Sequence, residues 1–172
     1  IRDKLVTGVQ TCALPILTTT DDALFENPET VLATLSGATN GAVITTGTAT
    51  GTINDNDTAP SFSIASTSAA EGGVLTFTVT RSSGNAQNAQ TVTFATSDAG
   101  AGAGFATAGS DYTANTGTLT FLQGDTSKTF TVASTADTVF EPNETFSASL
   151  TGTNVGSITT ALATGTILND DP

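Results

Sequence analysis

The chain has 172 residues, with 16 acidic side chains against 4 basic ones and a formal charge of −12 at pH 7; it holds no His, no Met and no Trp, one Cys and one Tyr. Without His there is no Ser-His-Asp or Cys-His catalytic constellation, no imidazole metal ligand and no imidazole pH switch, which argues against zinc and haem chemistry. The acidic balance offers no basic patch for phosphate, so nucleic acid and direct membrane insertion are not expected, and cations are the natural counterpart.

Residues 1–16, IRDKLVTGVQTCALPI, differ in character from everything after them, holding two of the four bases and the single Cys. Thr7, Gly8, Gln10 and Thr11 interrupt the apolar core that a secretory signal requires. The run from Val6 to Ile16 instead resembles the translation of a short-read sequencing adapter, so the segment is read as non-native. From Leu17 onward Arg81 and Lys128 are the sole bases and Cys is absent. Such a Thr-, Ala- and Gly-rich acidic composition is expected of an extracellular or cell-surface bacterial protein, here as a fragment of a longer chain.

Residues 21–57 and 136–171 are two copies of one pattern. Asp22 matches Asp137, Phe25 matches Phe140, Glu26 matches Glu141, Glu29 matches Glu144 and Leu35 matches Leu150, all 115 positions apart. One residue is dropped in the loop that follows, so Ile53 matches Ile167. That period is too long for a solenoid repeat and suits tandem sandwich domains of about 100 residues. Residues 17–59 are therefore the last two strands of a truncated repeat, and 60–172 a complete one.

Within 60–172 the period is two throughout. A short strand starts at Phe62; VLTFTVTR at 74–81 puts Leu75, Phe77 and Val79 on one face and threonines on the other; TVTF at 91–94, TLTFL at 118–122 and KTFTV at 128–132 repeat the device, and ETFSASL and ALATGTI complete it. Threonine suits the half-exposed face of a pleated sheet. Glycine pairs and Asn-Gly or Gly-Asp steps separate the runs. About seven short strands, with no helical periodicity, predict an all-β antiparallel sandwich. Phe62, Phe77, Phe94, Phe121, Phe130 and Phe146 are read as core, and Phe140 as an anchor of the acidic loop.

The carboxylates concentrate at strand ends: Glu71, Asp111, the D-x-x-x-E-x-x-E runs of both copies, and the terminal runs Asp55-Asn56-Asp57 and Asn169-Asp170-Asp171. Loops of a sandwich gather at its poles, which would bring Glu71, Asp111, Asp137, Glu141, Asp170 and Asp171 together. Clustered carboxylates repel one another unless a cation sits among them, and an all-oxygen set selects Ca²⁺.

Residues 60–172 resemble a Calx-beta domain, the module of sodium/calcium exchangers and of long bacterial surface and RTX-type adhesins. The resemblance rests on EGG at 71–73, GSDYTANTGTLTFLQGDTSKTFTV at 109–132, DTVFEPNETFSASL at 137–150 and TGTILNDD at 164–171. It implies a seven-stranded immunoglobulin-like sandwich and a Ca²⁺ site built by Glu71, Asp111, Asp137, Glu141, Asp170 and Asp171, with Glu144 and Asn169 peripheral. It further implies a calcium-stabilised structural repeat whose partners are neighbouring repeats, while host or sister-cell ligands are bound by other parts of the parent protein. Where the exchanger pattern carries three acids in a row, this chain has Ala136-Asp137-Thr138 and Asn169-Asp170-Asp171. Fewer carboxylates imply fewer ions and an affinity of about 10⁻⁴ to 10⁻³ M. Asp22, Glu26, Asp55 and Asp57 form half a site, because nothing before them matches Glu71 or Asp111.

Two other readings stand beside this one. INDNDTAPSF at 53–62 is similar to the interdomain calcium-binding run of cadherins, and a regulatory calcium sensor on a transporter or extracellular enzyme fits the same acids. Catalysis is not expected: Glu141 and Glu144 could be imagined as a glycosidase pair, but one Tyr and no Trp suggest no aromatic-lined cleft. The EF-hand spacing is absent.

Overall fold

The structure is a computed structural model and describes residues 16–82 and 85–172. The adapter-like reading of residues 1–16 lies outside them except at Ile16. The strands are β1 (Leu24–Phe25), β2 (Glu29–Thr34), β3 (Thr48–Ile53), β4 (Ser61–Ile64), β5 (Thr67–Ala70), β6 (Val74–Arg81), β7 (Asn85–Ala86), β8 (Gln90–Asp98), β9 (Thr116–Phe121), β10 (Ser127–Ala133), β11 (Glu144–Thr153), β12 (Ser157–Thr160) and β13 (Leu162–Leu168).

Nine of these strands build two sheets, ordered β10-β6-β4-β12 and β5-β13-β11-β8-β9. The nine follow seven paths. β4 and β5 are one strand that changes sheet at Ala65–Ser66, and β12 and β13 are one strand that changes sheet at Ala161. The two crossings are tied together, with the Thr164 N–H donating to Ser66 Oγ at 2.9 Å. First and last strands run parallel in both sheets, through β4 with β12 and β5 with β13. All other pairings within the two sheets are antiparallel.

The alternation expected of 74–81 is realised: Leu75, Phe77 and Val79 are fully buried while Val74, Thr76 and Thr80 face outward. All six phenylalanines expected in the core are there. Four of them and Tyr112 form a continuous aromatic run between the sheets, in which Phe94 stacks on Phe130 at 3.9 Å, Phe130 on Phe77 at 5.1 Å, Phe77 meets Phe146 edge-on at 5.9 Å, and Phe146 stacks on Tyr112 at 4.2 Å, while Phe62 and Phe121 pair separately at 5.2 Å. Each buried ring contributes roughly 1.5–3 kcal/mol through removal of apolar surface from water. Phe94 lies across from Gly117 and Phe146 across from Gly165, and a Cβ on Gly165 would collide with the Phe146 ring. Glycine here makes room for an aromatic on the next strand.

The first copy keeps the local hairpin. β2 pairs β3 with Glu29 opposite Ile53 and Val31 opposite Gly51, while β11 pairs β13 with Glu144 opposite Ile167 and Phe146 opposite Gly165. The register is the same residue for residue. β2 and β3 form a sheet of their own, and β1 joins the complete unit by pairing in parallel with β7.

Candidate metal centre

The site is assembled at one pole from four chain segments. Glu71 follows β5, held by its N–H donating to the Leu168 carbonyl at 3.1 Å. The turn after it needs Gly72, whose φ is +66° and whose missing side chain leaves room for Ala136. Asp111 sits in the β8–β9 loop, where one carboxylate oxygen accepts the Thr107 N–H at 2.7 Å and its carbonyl accepts the Thr135 N–H at 2.9 Å. Asp137 and Glu141 come from the β10–β11 loop, and Glu144 is the first residue of β11. Asp170 and Asp171 follow β13.

Five of the six acids expected to converge fall, together with Glu144, into two triads. One is Glu71, Asp137 and Asp171; the other is Asp111, Glu141 and Glu144; in each, one carboxylate oxygen per residue lies within 4.8 Å of the others. Asp170 is exposed and belongs to neither triad, though its charge reaches Glu71. Asn169 has a framing role: its side-chain oxygen accepts the Glu141 N–H at 3.0 Å, and its amide donates to the Asp171 carbonyl at 2.8 Å.

The electrostatics show strain that a cation would relieve. Burial, then the charges of Asp137, Asp171, Asp170 and Glu141, push the Glu71 carboxyl above the usual carboxylate range. Glu144 is pushed up to about 7 by burial, by Asp111 and Glu141, and by a hydrogen bond with Asp111. Oδ2 of Asp171 is shut off from solvent with no hydrogen-bond partner. An orphaned buried carboxylate oxygen costs free energy unless something positive meets it. The cleft between Glu71, Ser110, Asp111, Thr135, Asp137, Glu141 and Glu144 is small, ≈ 10 Å³, about the room that one water-sized particle needs. It has the size of a site for a small ion. The donors are all hard oxygens, so the residues present fit Ca²⁺.

Sequence patterning left Ser110 and Thr135 out of the site and Glu144 at its edge. Glu144 enters because it opens β11 opposite Ile167, so strand alternation turns it toward the cleft that Ile167 lines. Tyr112 was unassigned too; its hydroxyl donates to Asp98 at 2.8 Å beneath the pole, and burial pushes its ionisation up.

The first copy holds counterparts of Asp137, Glu141, Glu144 and Asp171 without the same closure. Asp22, Glu26, Asp55 and Asp57, with Asp21 and Glu29, line an open hollow of ≈ 270 Å³. Among the described residues, these acids form no carboxylate triad. Crowding still raises Glu26 and Asp57, through desolvation and then their acidic neighbours.

A two-sheet sandwich whose loop carboxylates close on one pole defines an immunoglobulin-like, acid-tipped module. The family model for the Calx-beta domain matches residues 55–171, and the chain belongs to that family. Among solved structures, the crystal structure of the apo-form Calx CBD1 domain is 26% identical at a TM-score of 0.57, over 66% of this chain and 99% of that one. CBD12 from CALX1.2 and the calcium binding domain CBD12 of CALX1.1 are each 27% identical, at TM-scores of 0.56 and 0.55, over 64% of this chain and 46% of theirs. No curated protein matches the sequence.

Proposed function

We propose that this chain is a calcium-binding structural repeat of a larger secreted or cell-surface protein, in which Ca²⁺ stiffens the acidic pole and the junction between neighbouring repeats. The observation that carries the reading is that four separate segments bring two carboxylate triads to one cleft, one of them holding the partnerless oxygen of Asp171. Glu71, Asp137 and Asp171 would hold one ion and Asp111, Glu141 and Glu144 a second. Bound calcium supplies positive charge that these acids lack. Repetition of the acidic hairpin supports the structural role: neighbouring repeats are the first partners, and adhesion to host or sister cells falls to other parts of the parent. The ≈ 10 Å³ cleft among these acids has room for a small ion, which supports a binding role for this pole over a catalytic one. Among the described residues no helix is long and apolar enough to cross a bilayer.

A second reading, a regulatory calcium-sensing module of a transporter or extracellular enzyme, is favoured by the likeness to Calx CBD1 and to the calcium binding domain CBD12. Apolar spans of about 20 residues encoded elsewhere in the same gene would support it. The core of both readings is tested by melting the protein in millimolar Ca²⁺ and in chelator. Calcium at ten times its Kd is expected to add about 1.4 kcal/mol, and Asp137→Ala with Glu141→Ala to erase the gain. Equal shifts in wild type and double variant would sink the assignment.

A further inference from the structure

Leu24–Phe25 and Val139–Phe140 occupy matching places in the two acidic loops, and both loops are built on the same hydrogen-bonded frame. Asp22 accepts the Leu24 N–H at 2.8 Å and Asp137 accepts the Val139 N–H at 2.7 Å. The Glu26 N–H donates to Asp55 at 3.2 Å and the Glu141 N–H to Asn169 at 3.0 Å, again at matching positions. Their surroundings are opposite. Leu24 and Phe25 are half-buried, because they add as a short parallel strand to Asn85–Ala86 of the complete unit. The Phe25 carbonyl accepts the Gln87 N–H at 3.2 Å, and the Phe25 side chain lines a hollow with Ala86, Asn88, Ala89 and Val155. Val139 is 59% and Phe140 69% exposed, with no such strand beside them among the described residues, so Phe140 does not anchor its own loop as the sequence suggested.

We infer that Val139–Phe140 is a docking strand for the edge around residues 85–89 of a following copy of this module, repeating in the next junction the contact that Leu24–Phe25 makes in this one. The occupant follows from continuity with the first junction: one loop frame, one apolar pair at its tip, and a receiving edge that a following copy of 60–172 would carry. Backbone pairing at an open edge supplies direction, and Phe140 entering the hollow supplies apolar burial. Tethering in one chain raises the effective concentration of so small a contact to the millimolar range, where a separate molecule would bind weakly. The inference rests on the tandem-repeat reading. It also places the docking pair between Asp137 and Glu141, one from each triad, so cations held by the two triads would fix both ends of the strand that joins the next domain.

The chain has no Trp, so one introduced indole reports on one place. Phe25→Trp and Phe140→Trp are made in the full chain, and Phe140→Trp also in a tandem in which a second copy of residues 59–172 follows Pro172. Acrylamide is expected to quench the Phe140→Trp single chain severalfold more strongly than the Phe25→Trp single chain. In the tandem, the indole of Phe140→Trp becomes as shielded as that of Phe25→Trp, and the amide of the appended copy's Gln87 gains protection from hydrogen exchange. The inference is overturned if Phe140→Trp stays equally quenchable in the tandem, or if Phe25→Trp is unshielded in the single chain. Calorimetry of the same tandem with CaCl₂ separates the two readings: shielding without calcium binding sinks the metal assignment alone, and binding without shielding sinks the docking strand alone.

Discussion

The two acidic hairpins share a register and a loop frame, yet one closes on its oxygens and the other stays open. In the second copy, β11 has β8 on one side and β13 has β5 on the other, and the segments joined to those neighbours deliver Asp111 and Glu71. In the first, β2 and β3 pair with each other alone, and Val31 stands where the complete copy has Phe146. The D-x-x-x-E loop is therefore locally encoded, while the metal site is a property of the whole sandwich. Repeating half of the ligands repeats their hydrogen bonds but not their enclosure.

The largest expected divergence between the copies lies beneath the acids. Gly165→Ala drives a methyl into the Phe146 ring and is expected to cost about 1–3 kcal/mol, whereas Gly51→Ala, with nothing nearer than the Val31 carbonyl at 4.0 Å, should stay within about 0.5 kcal/mol. Urea titration of both variants checks this, and equal losses would mean that β2–β3 is packed as tightly as β11–β13.

Calcium should separate the copies by a similar amount. Asp22→Ala with Glu26→Ala is expected to leave the calcium-induced gain of about 1.4 kcal/mol at ten Kd in place, in contrast to the Asp137 and Glu141 pair. Differential scanning calorimetry with and without chelator decides it; loss of the gain in the first-copy variant would make the open hollow a working site.

Beneath the closed pole, Tyr112→Phe removes a hydroxyl that donates to Asp98 while leaving the ring stacked on Phe146, for an expected loss of about 1 kcal/mol by denaturant titration. Among the described residues no such girder underlies the first copy, so the change should leave calcium binding weakened only through the complete unit.

The smallest effect is one of pH. The folded, calcium-free protein holds the Glu144 proton up to about 7, while the unfolded chain releases it near the ordinary value of 4.5. Between these values the folded state binds more protons, so stability falls as pH rises through the window. Because solvent reaches the cluster, the drop is expected to be a fraction of a kcal/mol. Melting in chelator from pH 5 to pH 8 should show a declining Tm, flattened by Glu144→Gln and by added Ca²⁺. A rising Tm in chelator would mean that the acids are not crowded.

Much of the sandwich was legible from local pattern. Alternation at Leu75, Phe77 and Val79 needs only the two-residue pleat, and the repeat showed in spacing alone. What spacing does not carry is partnership across the chain. That Phe146 requires Gly165, that Tyr112 props the pole through Asp98, and that Phe140 is left bare while Phe25 is covered all depend on which strands lie side by side.

By itself, the order of residues determined the strands, the acidic loops and the hard-oxygen character of the site, because pleat period and side-chain chemistry are properties of neighbours in the chain. Tertiary structure alone decided which carboxylates meet. Asp171 joins Glu71 because the last strand crosses between sheets to lie parallel to the first, and Glu144 joins Asp111 because antiparallel pairing of β8 with β11 brings the β8–β9 loop over the start of β11. Distances of a few ångströms between groups many residues apart are set by packing of the whole core, which no local pattern encodes.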